Sequence, residues 1–329
     1  MKNIVYRTMK ILLSVVLVFA ISGILNFALS PVMYGHWAEH YRDEYSGKID
    51  TVIIGDSFPM YAVQPSLLDK KFGCFSFNEC TASQSLKESY YVLLDYIYTE
   101  NIKTVYFGLD YYNFLSDDIS VQATQITYKR LNSPKVKMMF LNEFVNLENA
   151  NDWLFPLRLS RNNFLEIPKN IKNKLTYEYR NYLLLESDSY YYDKGYVYTS
   201  KVKDDELGSF DMSEMLDEQL MWFEKIVCLC NEQKITLNVF QTPNKQARID
   251  VINNYDMYYY AIKQLADKYH FRYYDFNYHI NRKELLDDSH FLDAGHLNYE
   301  GSLVFMDWFC DTFSSDEITT ESFFEYDFS

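Results

Sequence analysis

The sequence predicts an α/β protein built on a parallel β-sheet with helices packed on both faces. Two short segments, at 51–55 and 103–110, read TVIIG and KTVYFGLD and are largely apolar, as expected for strands covered on both sides. Between them, residues 85–100 carry apolar side chains at helical spacing, which predicts an amphipathic crossover helix. Strand, helix and strand of these lengths form the unit of a parallel sheet, and right-handed crossovers then give three layers, α/β/α.

The same pattern continues on both sides of a long interruption. Three more strands are predicted, at 75–79, 235–240 and 271–276. Three more helices are predicted, at about 211–232, 245–269 and 298–313. The interruption, from about 114 to 208, has no sheet periodicity, and we predict a largely helical insertion that covers the site. We expect the whole domain to span 49–314, followed by an acidic, loosely held tail at 315–329.

The amino terminus predicts attachment to a membrane. Lys2, Arg7 and Lys10 precede an uncharged run at 11–29, which is long enough to cross a hydrocarbon core of about 30 Å. Basic residues before the run place a cytoplasmic stub and anchor at 1–31, with an extracytoplasmic connector at 32–48. The alternative is a signal peptide cleaved near small residues 28 and 30, giving a secreted protein. Cleavable apolar regions usually span only about 7–15 residues, which favours a retained single-pass anchor.

Composition excludes some partners and cofactors. The chain has 329 residues, 48% of them apolar, and its 46 acidic and 31 basic residues give a net charge of -15. Such a chain can bury a sizeable core but offers no broad cationic surface, so nucleic acid is not an expected partner. The five cysteines show no metal-ligand spacing, and we expect neither a metal nor another cofactor. Buried free thiols are favoured over the alternative, a disulfide between Cys74 and Cys80.

Two distant segments carry candidate catalytic residues. Ser57 follows Gly55 and Asp56 at the end of the first strand, the edge where open α/β sheets bind their ligands. On its own this triplet is equally typical of a strand end that caps a helix. Asp293 and His296, however, lie three apart just before the last helix, where a carboxylate can hold an imidazole.

A serine, a histidine and an aspartate from these segments can converge at one sheet edge. A rival base, His290 in Asp288-Ser289-His290, lacks the Leu-Asn-x-x-Gly continuation that follows His296, and we interpret it as a loop residue.

These motifs resemble the SGNH (GDSL-like) hydrolase superfamily, in particular its membrane-anchored bacterial branch of DltD-like and polysaccharide O-acetylation proteins. The resemblance covers about 50–112 and 211–313 and rests on the motifs Gly55-Asp56-Ser57, Gln64-Pro65-Ser66-Leu67-Leu68, Phe77-Asn78, Ser83-Gln84-Ser85 and Asp293-x-x-His296-Leu297-Asn298-x-x-Gly301. It implies a flavodoxin-like sheet. It also implies Ser57 as the nucleophile, His296 as general base and then acid, and Asp293 as the group that orients the imidazole.

The resemblance also raises the question of oxyanion donors. The backbone N–H of Ser57 is the first candidate, and family members add a glycine N–H after the second strand and an asparagine after the third. Here Cys80 or a neighbouring residue occupies the glycine-like position. After the third strand an ionised Asp110 would repel an oxyanion, so either Asn113 takes that place or the donor set differs. Gln84 is a further candidate for contacting substrate, although a capping role would also explain it.

Two functions follow as hypotheses. The first is an outward-facing serine esterase or O-acyltransferase that acts on small acyl esters, such as acetyl esters, of a cell-envelope glycan. An acyl-serine intermediate would form, and the same three residues serve whether water or a sugar hydroxyl accepts the acyl group. The second is a catalytically inactive SGNH-like protein that uses the same cleft to bind a glycan or an envelope-assembly partner.

Overall fold

The computed structural model describes residues 2–29, 42–116, 120–150, 153, 161–175, 184–186, 189–203 and 207–328. The chain divides into two compact units. One comprises residues 1–33 and 141–183, and the other comprises residues 34–140 and 184–329. Most of the predicted connector at 32–48 lies outside the described residues.

The described residues form ten strands and thirteen helices. The strands are β1 Thr51–Ile54, β2 Ser76–Asn78, β3 Thr104–Leu109, β4 Leu184–Glu186, β5 Ser189–Asp193, β6 Tyr196–Thr199, β7 Phe210–Asp211, β8 Thr236–Gln241, β9 Ile252–Asn253 and β10 Arg272–Asp275. The helices are α1 Lys2–Leu29, α2 Ser57–Ala62, α3 Pro65–Phe72, α4 Leu86–Thr99, α5 Val121–Arg130, α6 Pro134–Phe144, α7 Arg161–Leu175, α8 Asp217–Gln233, α9 Gln246–Ile249, α10 Tyr255–Tyr269, α11 Arg282–Leu285, α12 Tyr299–Ser314 and α13 Glu317–Glu321.

The larger unit is organised around a five-stranded sheet in the order β2-β1-β3-β8-β10. Every neighbouring pair is parallel, and Val52 of β1, for example, lies opposite Phe77 on one side and Val105 on the other. The prediction of a mixed α/β fold with a parallel sheet is therefore confirmed. In this strand order the direction of winding reverses between β1 and β3, and such a switch point opens a crevice at the carboxyl ends of the strands.

Helices cover both faces of this sheet. Successive residues of β3 point to opposite sides, so Tyr106 packs against Phe309 of α12 while Phe107 packs against Phe223 of α8. The ring centroids are 5.2 Å and 5.8 Å apart in the two contacts. A strand buried on both faces needs apolar residues at every position, which explains the continuous apolar runs in the sequence.

Two predicted helices differ in the structure. The helix expected at 211–232 begins only at Asp217, because β7 pairs with β9 and Asp211 caps a short 3-10 turn. The helix expected at 245–269 is interrupted between α9 and α10. Asn254 there has a φ of +54°, a left-handed conformation that an α-helix does not contain.

The segment predicted as a largely helical insertion is more varied. It contains α5, α6 and α7, but also the antiparallel sheet formed by β4, β5 and β6. The turn between β5 and β6 packs against β2, where the N–H of Asn78 donates to the carbonyl of Lys194 at 2.8 Å. The residues on either side of 141–183 therefore belong to the unit that contains the sheet.

The expectation of a loosely held tail after Ser314 is wrong for the described residues. Phe324 is buried and stacks on Tyr274 of β10 at 5.2 Å. Arg272 donates to the carbonyls of Thr312 and Phe313 at 2.6 Å and 2.9 Å, which fixes the end of α12. The aromatic residues of the tail, and not its acidic ones, decide how it packs.

The amino-terminal helix α1 agrees in length with the predicted anchor. Among the helices in the described parts of the chain, it is the one that is long and apolar enough to cross a membrane, over Val5–Leu29.

Candidate active site

The chain leaves β1 at Gly55, where both conformation and space require glycine. Its φ is +150°, and a Cβ atom at this position would lie 2.5 Å from the carbonyl oxygen of Gly108 and 2.6 Å from Cγ of Pro59. The absent side chain lets the start of α2 pack directly against the end of β3. Ser57, the first residue of α2, is thereby held at the carboxyl edge of the sheet.

Ser57, His296 and Asp293 meet at this edge. Oγ of Ser57 lies 2.7 Å from Nε2 of His296, although the two residues are 239 positions apart. The other ring nitrogen, Nδ1, lies 2.8 Å and 2.9 Å from the two carboxylate oxygens of Asp293. The structure thus brings together the three side chains that the sequence predicted to converge. With Nδ1 protonated, Nε2 is free to accept the serine proton.

Asp293 is held in its ionised form by its own turn. Its Oδ1 accepts hydrogen bonds from the backbone N–H groups of Gly295 at 3.0 Å and His296 at 2.8 Å. Burial alone would raise the pKa of Asp293, but the hydrogen bonds and charge of His296 and these two N–H groups outweigh it and lower the pKa. A carboxylate in this state can orient an imidazole and stabilise its protonated form.

Two aromatic rings fix the imidazole of His296. Phe58 stacks on it with ring centroids 4.7 Å apart and an interplanar angle of 18°, and Tyr61 meets it edge-on at 5.4 Å. A Cβ atom on Gly295 would overlap the ring of Phe58, so this position also requires glycine. Phe58 is a site residue that the sequence motifs did not predict, although its position directly after Ser57 was a usable signal.

The loop that carries His296 is braced from the ends of other strands. Nδ2 of Asn244 donates to the carbonyl of Gly295 at 3.1 Å, and the N–H of Lys245 donates to the carbonyl of Ala294 at 2.9 Å. Asn277, after β10, in turn accepts the N–H of Asn244 at 2.8 Å. These bracing residues were missed. Asn277 carried a signal, because it is a polar residue directly after the predicted strand 271–276, whereas Asn244 lies four residues beyond the predicted strand 235–240.

Two buried carboxyl groups lie beside the nucleophile. Asp56 and Asp110 share a hydrogen bond, and each also caps its own turn, with Phe58 N–H and Tyr112 N–H as donors at 2.9 Å. Burial, and then the neighbouring carboxyl, raises the pKa of Asp56 well above its usual value, and burial raises that of Asp110. One proton shared between the two explains how both carboxyl groups can be buried.

The side chain of Asn113 reaches this acidic pair. Its Nδ2 donates to Oδ2 of Asp56 at 3.1 Å and lies 3.4 Å from the carbonyl of Gln84. The amide that was a candidate oxyanion donor is therefore engaged with Asp56 in this geometry.

Cys80 and Gln84 face the protein interior. The N–H of Cys80 donates to Oδ1 of Asn78 at 3.2 Å, and its carbonyl accepts from Arg130 at 2.8 Å. The buried amide of Gln84 bonds Thr81 and Ser89, both at 3.0 Å. Neither residue presents a donor to a substrate in this geometry, and Gln84 has the capping-region role that the sequence left open.

Backbone donors remain near the site. The N–H of Ser57 belongs to the first turn of α2, where the helix itself provides no acceptor. After β2, exposed Ser83 has a φ of +56°, a conformation that glycine adopts most readily.

The remaining sequence-derived candidates lie apart from the serine. His290 pairs with Asp287 at 3.0 Å, in a 3-10 turn next to the site loop. All five cysteines are free thiols. In the described residues, no group of three or more His, Cys, Asp or Glu side chains is arranged to hold a metal ion.

Comparison of the chain with protein-family models and with curated proteins gave no match.

Proposed function

We propose that this protein is an SGNH-type serine esterase or O-acyltransferase that acts on small acyl esters, such as acetyl esters. The observation that supports this most directly is the 2.7 Å contact between Oγ of Ser57 and Nε2 of His296, with Asp293 behind the imidazole. A serine hydroxyl is a weak nucleophile until a positioned base takes its proton, and this arrangement supplies that base.

The proposed reaction has two steps. In the first, Oγ of Ser57 attacks the ester carbonyl while its proton passes to Nε2 of His296, and the tetrahedral intermediate collapses when His296 returns the proton to the leaving alcohol. In the second, water or a sugar hydroxyl gives its proton to His296 and attacks the acyl-serine, and the tetrahedral intermediate collapses when His296 returns that proton to Oγ of Ser57, which releases the carboxylic acid or the acylated sugar. Asp293 stays ionised throughout and stabilises the imidazolium.

The proposed location is outside the cytoplasmic membrane. Helix α1 is long and apolar enough to span a bilayer, and Lys2, Arg7 and Lys10 precede or begin its apolar run. By the positive-inside rule the basic end stays in the cytoplasm and the sheet domain faces outward. A domain tethered there meets envelope polymers, so we propose a cell-envelope glycan as the carrier of the acyl group.

A second candidate is a non-catalytic protein that binds a glycan or an assembly partner in the same cleft. The observation that favours it is the engagement of Cys80 N–H with Asn78 and of the Asn113 amide with Asp56, which leaves fewer donors for an oxyanion. Loss of one oxyanion donor typically costs about 100-fold to 1,000-fold in rate.

Labelling with a fluorophosphonate probe distinguishes the two candidates. Full-length protein in detergent should be labelled, Ser57→Ala should not, and Ser289→Ala should be labelled like the unaltered chain. Ser289 is the matched control because it also lies beside an Asp–His pair. Folded protein that resists labelling, or that is labelled equally after Ser57→Ala, contradicts the proposed enzyme.

An acceptor assay then separates hydrolysis from transfer. Release of p-nitrophenol from p-nitrophenyl acetate is measured with and without an added glycan. Turnover that is unchanged by the glycan indicates an esterase, whereas acceleration together with acetylated glycan indicates an O-acyltransferase.

A further inference from the structure

Helix α7 packs against the end of the candidate membrane-spanning helix α1. Asn170, a buried residue of α7, donates its Nδ2 hydrogen to the carbonyl of Leu29 at 3.2 Å. Leu29 is the last residue of α1, and carbonyls at a helix end have no donor within their own helix. The contact therefore ties α7 to the place where α1 would leave the bilayer.

The other sides of α7 expose large apolar side chains. Phe164 is 49% exposed, Leu165 is 68% exposed and Leu175 is 72% exposed. Phe164 and Leu175 are about three helical turns apart and so lie on the same side of the helix. A helix in contact with water normally turns its apolar side chains inward. Helix α7 instead buries Asn170, only half-buries Ile167 and Ile171, and turns outward the apolar stripe formed by Phe164 and Leu175.

Helix α7 is also basic in an acidic chain. Its sequence contains Arg161, Lys169, Lys172 and Lys174 but only one acidic residue, Glu166, whereas the whole chain has a net charge of -15. Lys172 is exposed beside the apolar stripe, and Lys169 is exposed farther around the helix, where its Nζ lies 3.2 Å from a carboxylate oxygen of Glu166. An exposed apolar stripe flanked by lysines is typical of helices that lie at the surface of anionic membranes.

We propose that α7 lies in the plane of the membrane interface, with Phe164 and Leu175 inserted at the boundary of the acyl chains. Lys169 and Lys172 then contact the phosphates of anionic phospholipids. This inference rests on the proposed attachment by α1 and adds a second lipid contact to it. Its chemical partner is an anionic phospholipid surface, which both the apolar stripe and the flanking lysines fit.

Quenching of tryptophan fluorescence by brominated acyl chains tests the orientation of α7. Full-length chains with Phe164→Trp, Leu175→Trp or Glu166→Trp are reconstituted in vesicles of phosphatidylcholine and phosphatidylglycerol, and the emission of the unaltered chain is subtracted. Glu166 is the control because it is exposed on a different side of the same helix, and replacing it also frees its ion-pair partner Lys169, which favours lipid contact and makes the comparison stringent. The apolar side of an interfacial helix reaches about 5–10 Å into the bilayer, so quenching at 164 and 175 should exceed that at 166 at least about twofold.

A second measurement tests the lysines. In the Phe164→Trp background, Lys169→Gln with Lys172→Gln should reduce quenching in vesicles that contain phosphatidylglycerol to the level found in pure phosphatidylcholine. Quenching that is unchanged by these substitutions overturns the contact with anionic lipid.

Each remaining outcome is also decisive. Equal quenching at 164, 166 and 175 in chains that float with the vesicles overturns the orientation of α7 but leaves attachment by α1 intact. Unquenched, blue-shifted emission at 164 would indicate that a protein surface covers this side, and it overturns the lipid contact. Chains that do not float with vesicles contradict attachment by α1, and the inference fails with it. Fluorophosphonate labelling of Ser57 is independent of all three results.

Discussion

Two Asp-x-x-His segments lie close together in this chain, and only one of them reaches a distant serine. Asp287 and His290 are joined by an Nδ1–Oδ1 distance of 3.0 Å, and Asp293 and His296 by one of 2.8 Å. Spacing and local hydrogen bonding are thus nearly the same in the two pairs. A serine lies near each pair as well, but the hydroxyl of Ser289 donates to Asp287 within the same turn and not to an imidazole.

The two pairs differ in the burial of their aspartates and in the residues from other parts of the chain that contact their histidines. The side chain of Asp287 is 72% exposed and that of Asp293 only 18%. His296 is also packed against Phe58 and contacts Ser57 from the end of β1. A local motif therefore supplies the carboxylate–imidazole pair, whereas the sheet supplies the nucleophile. Burial also strengthens the interaction, because solvent screens an exposed pair.

The largest expected difference between the two pairs appears when the aspartate of each pair is replaced by asparagine. Asp293→Asn should lower kcat for ester hydrolysis by about 10⁴-fold, because an amide neither holds the required tautomer of His296 nor stabilises its charge. Asp287→Asn, the matched control, should leave kcat unchanged. The measurement is the rate of p-nitrophenyl acetate turnover by the full-length chain. Equal effects of the two substitutions would show that the pairs are not distinguished in the way the structure indicates.

A smaller effect should follow from Gly295→Ala, which disturbs the packing around the pair formed by Asp293 and His296. The added methyl would overlap the ring of Phe58, so that ring or the loop of His296 must shift. A displacement of about 1 Å can cost about 100-fold in rate, and we expect a loss of kcat of that order. Because Phe58 also stacks on His296, the comparison is made in a Phe58→Leu background, where the overlapping ring atoms are gone and Gly295→Ala should lower kcat by a smaller factor. An equal factor in the two backgrounds would mean that the methyl acts elsewhere.

The sequence predicted the parts of the site that depend on local pattern. Apolar runs located the parallel strands, and polar residues at a strand end and before the last helix identified Ser57, Asp293 and His296. The engagement of Asn113 with Asp56 could not be predicted, because it depends on side-chain directions after two different strands. Short motifs likewise do not reveal which N–H groups a turn has already used.

Larger features were missed for a different reason. The antiparallel sheet of β4, β5 and β6 is formed by a tyrosine-rich segment. Tyrosine is also common in protein cores, so the composition of this segment did not reveal that its strands pair with each other. The carboxyl-terminal tail was judged by its acidic residues, yet Phe324 and its aromatic neighbours determine its packing. In both segments tertiary contacts of aromatic rings override the average character of the sequence.

The third prediction concerns the acidic pair Asp56 and Asp110 beside Ser57. The pKa values of these two carboxyl groups are raised, whereas the pKa of Asp293 is lowered, so their effects on stability should change with pH in opposite directions. Native Asp56 binds its proton more tightly than the unfolded chain does, so its contribution to stability falls as pH rises from about 4 through its raised native pKa. Asp110→Asn removes the opposing carboxyl. Relative to the unaltered chain, this variant should gain unfolding free energy as pH rises from 5 to 8, because Asp56 then no longer ionises beside a second carboxyl.

Urea denaturation of both chains in detergent at the two pH values measures this gain. If the difference in unfolding free energy between the two chains is the same at pH 5 and at pH 8, the carboxyl groups of Asp56 and Asp110 do not share a proton. Asp293→Asn serves as the control with the opposite sign, since a carboxylate with a lowered pKa loses its stabilising contribution as pH falls.

The smallest expected effect concerns His279, a buried histidine whose pKa is set by burial and not by a carboxylate. Its ring stacks on Trp308 with centroids 4.7 Å apart, and burial lowers its pKa from 6.5 to about 4. As pH falls from about 6.5 to 4, the unfolded chain takes up a proton that the native chain does not, so stability falls. His279→Phe keeps an aromatic ring but removes this titration. Between pH 7 and pH 4.5 the variant should therefore lose about 1 kcal/mol less unfolding free energy than the unaltered chain, a figure reduced for partial solvent access. Parallel loss of stability in the two chains would show that His279 is protonated in the native state, contrary to the effect of its burial.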